Sequence, residues 1–274
     1  SRMLHHPPMG LGHAPYADVA KSIREHVSVP TIHGTRINNA DTAERLLRSG
    51  AADFAGMCRA LIADPHLPNK YRTGRAAETN PCVGCEQACI GHLASGQPIS
   101  CVGNPITGRE AALGVVEKAA IRRRIVVVGA GPAGLECSWI AARGGHDVVL
   151  LERDHEVGGL LRLAAKAPDR AEWLDLIDHK HHLARINGVD IRVGADASVA
   201  MISELEPDLV VLATGTSPCR SVHARDDAAN IFDHREILCG KGHLGRRVAV
   251  LDGDNHQQGV TTAYFLASPD RHVT

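Results

Sequence analysis

One hexapeptide limits what this chain can fold into. The run Gly129-Ala130-Gly131-Pro132-Ala133-Gly134 lies between an apolar stretch at 125–128 and a helical one at 134–143. A second apolar stretch at 147–151 follows and is closed by Glu152. Glycine in the first position permits a tight turn, in the third a close approach to a bound pyrophosphate, and in the sixth close packing of helix on strand. The spacing therefore predicts a strand, a helix and a parallel strand, with the helix N-terminus turned toward an anion. Glu152 stands where a carboxylate can bond adenosine ribose hydroxyls, and Arg153 follows it.

Elsewhere the pattern is that of a parallel α/β chain. Tyr16, Val19, Ala20 and Ile23 form a helical stripe within 14–27, and 27–32 reads as a short buried strand. Asp41 and Glu44 read as a capping box, Ala43, Leu46 and Leu47 as an apolar face, and Gly50 as the stop. A further strand is expected at 53–57. Two strands cannot make a stable parallel sheet, so their neighbours are expected before residue 1. The opening at Ser1 and the ending inside an incipient strand predict an internal fragment. Residues 63–110 are rich in proline and glycine, 118–124 is a basic linker, and 169–186 reads as a helix. Strands are expected at 189–193 and 209–213, and a last unit from Arg247.

Of eight cysteines, Cys82, Cys85, Cys89 and Cys101 are spaced C-x2-C-x3-C-x11-C. Three thiolates can converge from one loop, and Gly84 and Gly91 permit the tight backbone that turns amide N–H groups toward sulfur, which suits a 4Fe-4S cluster. Four thiolates also satisfy structural zinc, and a pair of disulfides is the remaining reading.

Thirty basic residues against thirty-one acidic ones give a net charge of −1, which favours neither nucleic acid nor an anionic membrane as partner. No apolar run approaches the ~18 residues of a membrane span, and the first eight residues lack the apolar core of a signal peptide. A cytoplasmic protein acting on small molecules is expected.

The run Met57-Cys58-Arg59-Ala60-Leu61-Ile62-Ala63-Asp64-Pro65, then Leu67-Pro68-Asn69-Lys70, then the cysteine block through Cys101-Val102-Gly103-Asn104-Pro105, resembles the NADH:flavin oxidoreductase family that includes 2,4-dienoyl-CoA reductase and trimethylamine dehydrogenase. The resemblance implies the C-terminal part of an FMN-binding TIM barrel (1–79), an iron-sulfur loop and linker (80–118), a Rossmann-like FAD/NAD(P)-binding domain holding FAD or ADP (119–245), and the start of a second nucleotide-binding subdomain (246–274). It implies that Gly34, Thr35, Arg36, Cys58 and Arg59 hold the FMN phosphate, Arg59 foremost. It also implies that Gly158, Gly159 and Leu160, with Ala213, Thr214 and Gly215, continue the adenine-nucleotide site. The family's catalytic tyrosine or histidine is expected upstream, so no catalytic residue is assigned here. His5, His6 and His13 read as solvated or structural, His33 as a flavin neighbour, and His179, His181 and His182 as a solvated helical face.

The fingerprint fails in the last unit, where Asp254 and His256 replace two glycines and only Gly259 remains. A side chain and a negative charge at that turn oppose NAD(P)H binding. This departure resembles the trimethylamine dehydrogenase branch. The expected activity is oxidation of an N-methyl or related amine at FMN, with electrons passing through the cluster to an external acceptor such as an electron-transfer flavoprotein, in an oligomeric full-length protein. The alternatives are an NADPH-dependent dienoyl-CoA or enoate reductase, and a non-catalytic binding fragment.

Overall fold

The computed structural model describes residues 5–218, 230–253 and 257–274. Helix α1 (Ala17–Arg24) precedes β1 (Ile32–His33), and α2 (Ala40–Arg48) precedes β2 (Phe54–Ala55), which pairs parallel with β1, Ile32 opposite Phe54. The apolar stripe of α1 exists but faces outward, with Val19 and Ile23 more than half exposed. The strand expected at 27–32 shrinks to Ile32 and His33, and Val29 and Ile32 stand 65% and 71% exposed instead of buried. Among the described residues, nothing covers that face, so local hydrophobicity there has no core to enter. The start of α2 also differs from expectation. Asn39 caps it, accepting from the Thr42 amide at 2.8 Å, while Glu44 pairs with Arg48 one turn on at 2.5 Å.

Two short helices, α3 (Cys58–Ala63) and α4 (Leu67–Arg72), flank Asp64, which is 3% exposed. Its carboxylate accepts from Lys70 Nζ at 2.6 Å and from the amides of His66 and Asn80 at 3.0 and 2.9 Å. That knot ties the end of the first segment to the start of the cysteine loop. The loop is irregular, as its prolines and glycines predict, and the linker after it docks on the second half of the chain through Lys118 Nζ and the Arg143 carbonyl, 2.7 Å apart.

The second half is a four-stranded parallel sheet. In chain order it runs β3 (Arg124–Val128), α5 (Pro132–Arg143), β4 (Asp147–Leu151), α6 (Gly159–Ala164), α7 (Trp173–Ile186), β5 (Asp190–Arg192), α8 (Val199–Glu204) and β6 (Leu209–Leu212). The spatial order is β5-β4-β3-β6. Val126, Val127, Leu150 and Leu151 are almost wholly buried because helices cover both faces. Helix α7 starts at Trp173 and not at 169, since Asp169 has φ +59°, a left-handed conformation that no helix continues.

Past α9 (His234–Leu238), capped by Asp233 and Glu236, lie β7 (Arg247–Val248), α10 (Gln257–Leu266) and β8 (His272–Val273), with β8 parallel to β7. The last unit, expected from Arg247, is therefore a small βαβ. Asp254 and His256 lie outside the described residues; Gly259 abuts Asp252, whose Cβ is 2.6 Å from where a Gly259 side chain would begin. No described helix is long and apolar enough to cross a membrane.

Candidate functional site

Three loops meet at the carboxyl ends of β3, β4 and β6, where ligands of open parallel sheets bind. Gly129 has φ +102°, and a Cβ there would lie 2.4 Å from the Ala213 carbonyl oxygen, so the 129–134 turn packs directly on the 213–215 turn. A Cβ on Gly134 would lie 1.8 Å from the Gly129 carbonyl oxygen, which makes glycine obligatory at the start of α5. Gly159 closes against the Gly131 backbone, and the Gly158 amide donates to the Ala130 carbonyl at 2.8 Å. A Cβ on Gly131 would meet nothing within 4 Å, so the turn opens outward beside the helix N-terminus framed by Pro132 and Ala133. Glu152 is 6% exposed, and its carboxylate accepts from the amides of Ala130 at 2.7 Å and Asp154 at 3.0 Å. Arg153 and Leu160 are exposed at the rim, and Gly215, at φ +75°, has open space beside it.

The cysteine loop is shaped by two left-handed residues, Gly84 at φ +64° and Glu86 at φ +59°, followed by a wide turn over Gln87–Gly91 that is closed by the Gly91 amide on the Glu86 carbonyl at 2.8 Å. Such five-residue turns recur at functional sites. Neighbouring segments hold the loop in place: Met9 donates to the Gly84 carbonyl at 2.7 Å, and Asn38 Nδ2 to the Cys82 carbonyl at 2.8 Å. Cys82, Cys85, Cys89 and Cys101 are free thiols, and Cys101 is close enough to help raise the pKa of the other three. Burial is the larger cause, pushing Cys82 up to about 11 and Cys85 up to about 12. Against it, the backbone amides of Gly84, Gln87 and Ile90 donate to Cys82, Cys85 and Cys89 in turn. Sulfurs this buried give up their protons to a bound cation, and the amides then support the thiolates. Among the described residues, no three His, Cys, Asp or Glu side chains gather tightly enough around one point to hold a single ion.

A cavity of about 310 Å³ adjoins this loop, lined by Gly34, Thr35, Arg36, Cys58 and Arg59, and also by Cys89. The structure brings the first five together, and it adds partners of both arginines that were not legible in the sequence. The Arg36 side chain is fully buried; it pairs with Glu172 at the start of α7 and donates to the Pro8 carbonyl at 3.0 Å, while its Nη1 has no partner. Arg59, 10% exposed, donates at 2.8 Å to Glu86 of the cysteine loop and at 3.0 Å to the Pro7 carbonyl. Burial raises the Glu86 pKa, and Arg59, His6 and Arg36 oppose that rise.

One histidine expectation needs correction. His5 and His6 are exposed, in keeping with a polar loop, and both line the cavity. His33 is buried with Nε2 unpartnered, next to Gly34 of the cavity lining. His179 is 7% exposed, not solvated: α7 packs against the cysteine-loop side of the molecule as well as against α5, so two of its faces are buried.

The sequence profile of the FAD dependent oxidoreductase family matches residues 124–198, the βαβ unit and its continuation. The chain is 37% identical over 256 residues to a metal reductase of Desulforamulus reducens, covering 92% of this chain and 38% of that protein. It is 36% identical over 272 residues to the N,N-dimethylglycine/sarcosine dehydrogenase of Chromohalobacter salexigens, covering 95% and 39%. The structure of histamine dehydrogenase from Rhizobium sp. 4-9 superposes with a TM-score of 0.90 at 26% identity, over 98% of this chain and 41% of that one. The chain thus spans about 40% of the length of the relatives it matches.

Proposed function

The chain belongs to the NADH:flavin oxidoreductase family, and on that premise we propose that it is the part of an amine-oxidising flavoenzyme where an FMN phosphate site, a 4Fe-4S cluster and an FAD or ADP site adjoin. The observation that carries this reading is the shared cavity: Arg36, Arg59 and Cys89 of the thiol group all line it, and a fully buried Arg36 nitrogen has no partner. Both guanidiniums already meet a carboxylate, so an incoming phosphate would share Arg59 with Glu86 and take the free Nη1 of Arg36. Residues 1–79 would be the barrel's end, 80–118 the cluster loop and linker, 119–245 the FAD or ADP domain, and 246–274 the start of a second subdomain.

Cys82, Cys85, Cys89 and Cys101 would ligate the cluster. Cys85 is buried, Cys82, Cys89 and Cys101 are partly buried, and the amides that donate to three of these sulfurs are the kind of support that cluster thiolates receive. When bound, FMN supplies hydride acceptance from a carbon beside an amine nitrogen, and the cluster supplies one-electron transfer toward an external carrier such as an electron-transfer flavoprotein. This chain's own residues hold, orient and shield: Gly34, Thr35, Arg36 and Arg59 the phosphate, the 129–134 turn and the α5 N-terminus a pyrophosphate, Glu152 a ribose, with Gly159 and the 213–215 turn closing the site. No acid–base group is assigned within it. The amine direction is supported by the dehydrogenases among the relatives and by Asp254 and His256 in the last unit.

The test is anaerobic purification of the full polypeptide, with acid release and chromatography of every bound nucleotide and assay of iron and sulfide. FMN with ADP, and about four iron atoms per chain, is the expected result. FMN with FAD, reducible by NADPH, would refute the amine direction in favour of the reductase. Absence of iron would refute the cluster.

A further inference from the structure

The cysteine loop touches the nucleotide-binding half at a buried lysine. Lys180, on α7, keeps only 6% of its side chain exposed. Its ammonium donates to the Gly103 carbonyl at 2.6 Å, two residues past Cys101, and lies 2.6 Å from Glu136 Oε2. The same Gly103 carbonyl accepts from Asn80 Nδ2 at 2.8 Å, and Asn80 also donates to the Ala63 carbonyl at 3.1 Å. Gly103 lies against α7, where a Cβ on it would be 3.0 Å from Leu176 Cδ1. Glu136 stands on α5, the helix whose N-terminus forms the dinucleotide turn, and is braced by Trp139 Nε1 at 2.9 Å.

A buried ammonium is costly unless fully paired, and one that spends its hydrogen bonds on a loop carbonyl fixes that loop. Cys101 is the thiol farthest along the chain from the other three, so its position depends most on contacts outside the 82–91 turn. We infer that Lys180 is a positioning residue for the iron-sulfur site: it pins the backbone that carries Cys101 to the dinucleotide-binding half, through Glu136 on α5. This rests on the cluster reading of the four cysteines. Cys101 is thus aimed by a residue from the other half of the chain.

The experiment uses the full polypeptide, anaerobically purified, as wild type, as Lys180→Met, and as the double variant Lys180→Met/Glu136→Gln. The double variant removes both charges, so no unpaired carboxylate is left buried and the fold is preserved. The expected result is retention of bound nucleotide, an altered line shape in the reduced cluster's electron paramagnetic resonance spectrum, a shifted midpoint potential, and iron loss to a chelator about tenfold faster. A hydrogen bond from a charged donor exceeds the ~1.4 kcal/mol that equals a factor of ten. A purely structural lysine would lower the melting temperature without moving spectrum or potential. Wild-type spectrum, potential and iron-loss rate in the folded double variant would overturn the inference. Wild-type protein without iron or sulfide would instead overturn the cluster reading beneath it, before any substitution is made.

Discussion

The His179 imidazole is the side chain whose burial makes the sharpest prediction. Burial first, then Lys180, Lys70 and His182, lowers its pKa from 6.5 to about 3, with Asp64 opposing. The neutral ring is what the fold contains, and its Nδ1 has no partner. In the unfolded chain the ring takes up a proton below 6.5, whereas in the folded chain it does so only near 3. The unfolded state therefore binds more protons in that window, and the stability present above pH 6.5 is lost as pH falls. Each unit below 6.5 removes up to ~1.4 kcal/mol, so lowering the pH to 5 costs about 2 kcal/mol. For a domain of this size that corresponds to about 4–8 °C in melting temperature. The assay compares thermal unfolding of wild type and His179→Leu at pH 7.5 and pH 5. The variant is expected to lose less on acidification than wild type by that difference. Parallel pH dependence in the two proteins would refute the reasoning, because it would mean that His179 titrates alike in the folded and unfolded chains.

Gly134→Ala drives a methyl group to 1.8 Å from the Gly129 carbonyl oxygen, and is expected to abolish retention of the adenine nucleotide while costing at least ~1–3 kcal/mol of stability; wild-type nucleotide content on acid release would contradict this. Asp64→Ala leaves Lys70 and the Asn80 amide without their acceptor, and a loss of about 3–5 kcal/mol is expected in denaturant titration; a loss below about 1 kcal/mol would show the knot to be dispensable. Arg59→Ala removes a nearly buried phosphate donor and frees Glu86 to repel the ligand. FMN affinity measured by fluorescence on reconstitution should fall at least about tenfold, and unchanged affinity would remove Arg59 from the site.

The features legible in the sequence are those whose cause is local. The 129–134 turn could be read because the sterics that demand glycine act within a few residues, as the close approach of Gly134 to Gly129 shows. The thiol group could be read because three of its cysteines share one short loop, and β3, α5 and β4 because Val126, Val127, Leu150 and Leu151 form continuous apolar runs that only a doubly covered parallel sheet can bury. Local pattern misled where it had no partner to meet: the α1 stripe and the residues around β1 are apolar in sequence yet exposed in the fold.

Everything that joins the sites was decided by tertiary structure. Arg36 and Arg59 were expected at a phosphate site, but the carboxylates they meet, Glu172 and Glu86, lie 136 and 27 residues away along the chain. Lys180 reaches Gly103 across 77 residues, and His179 became a buried base only because α7 is enclosed on two faces. Backbone sterics and ligand spacing are properties of a few adjacent residues and so are written in their order. The choice of which charge neutralises which, and which imidazole loses its water, depends on distances that exist only after the halves of the chain have packed.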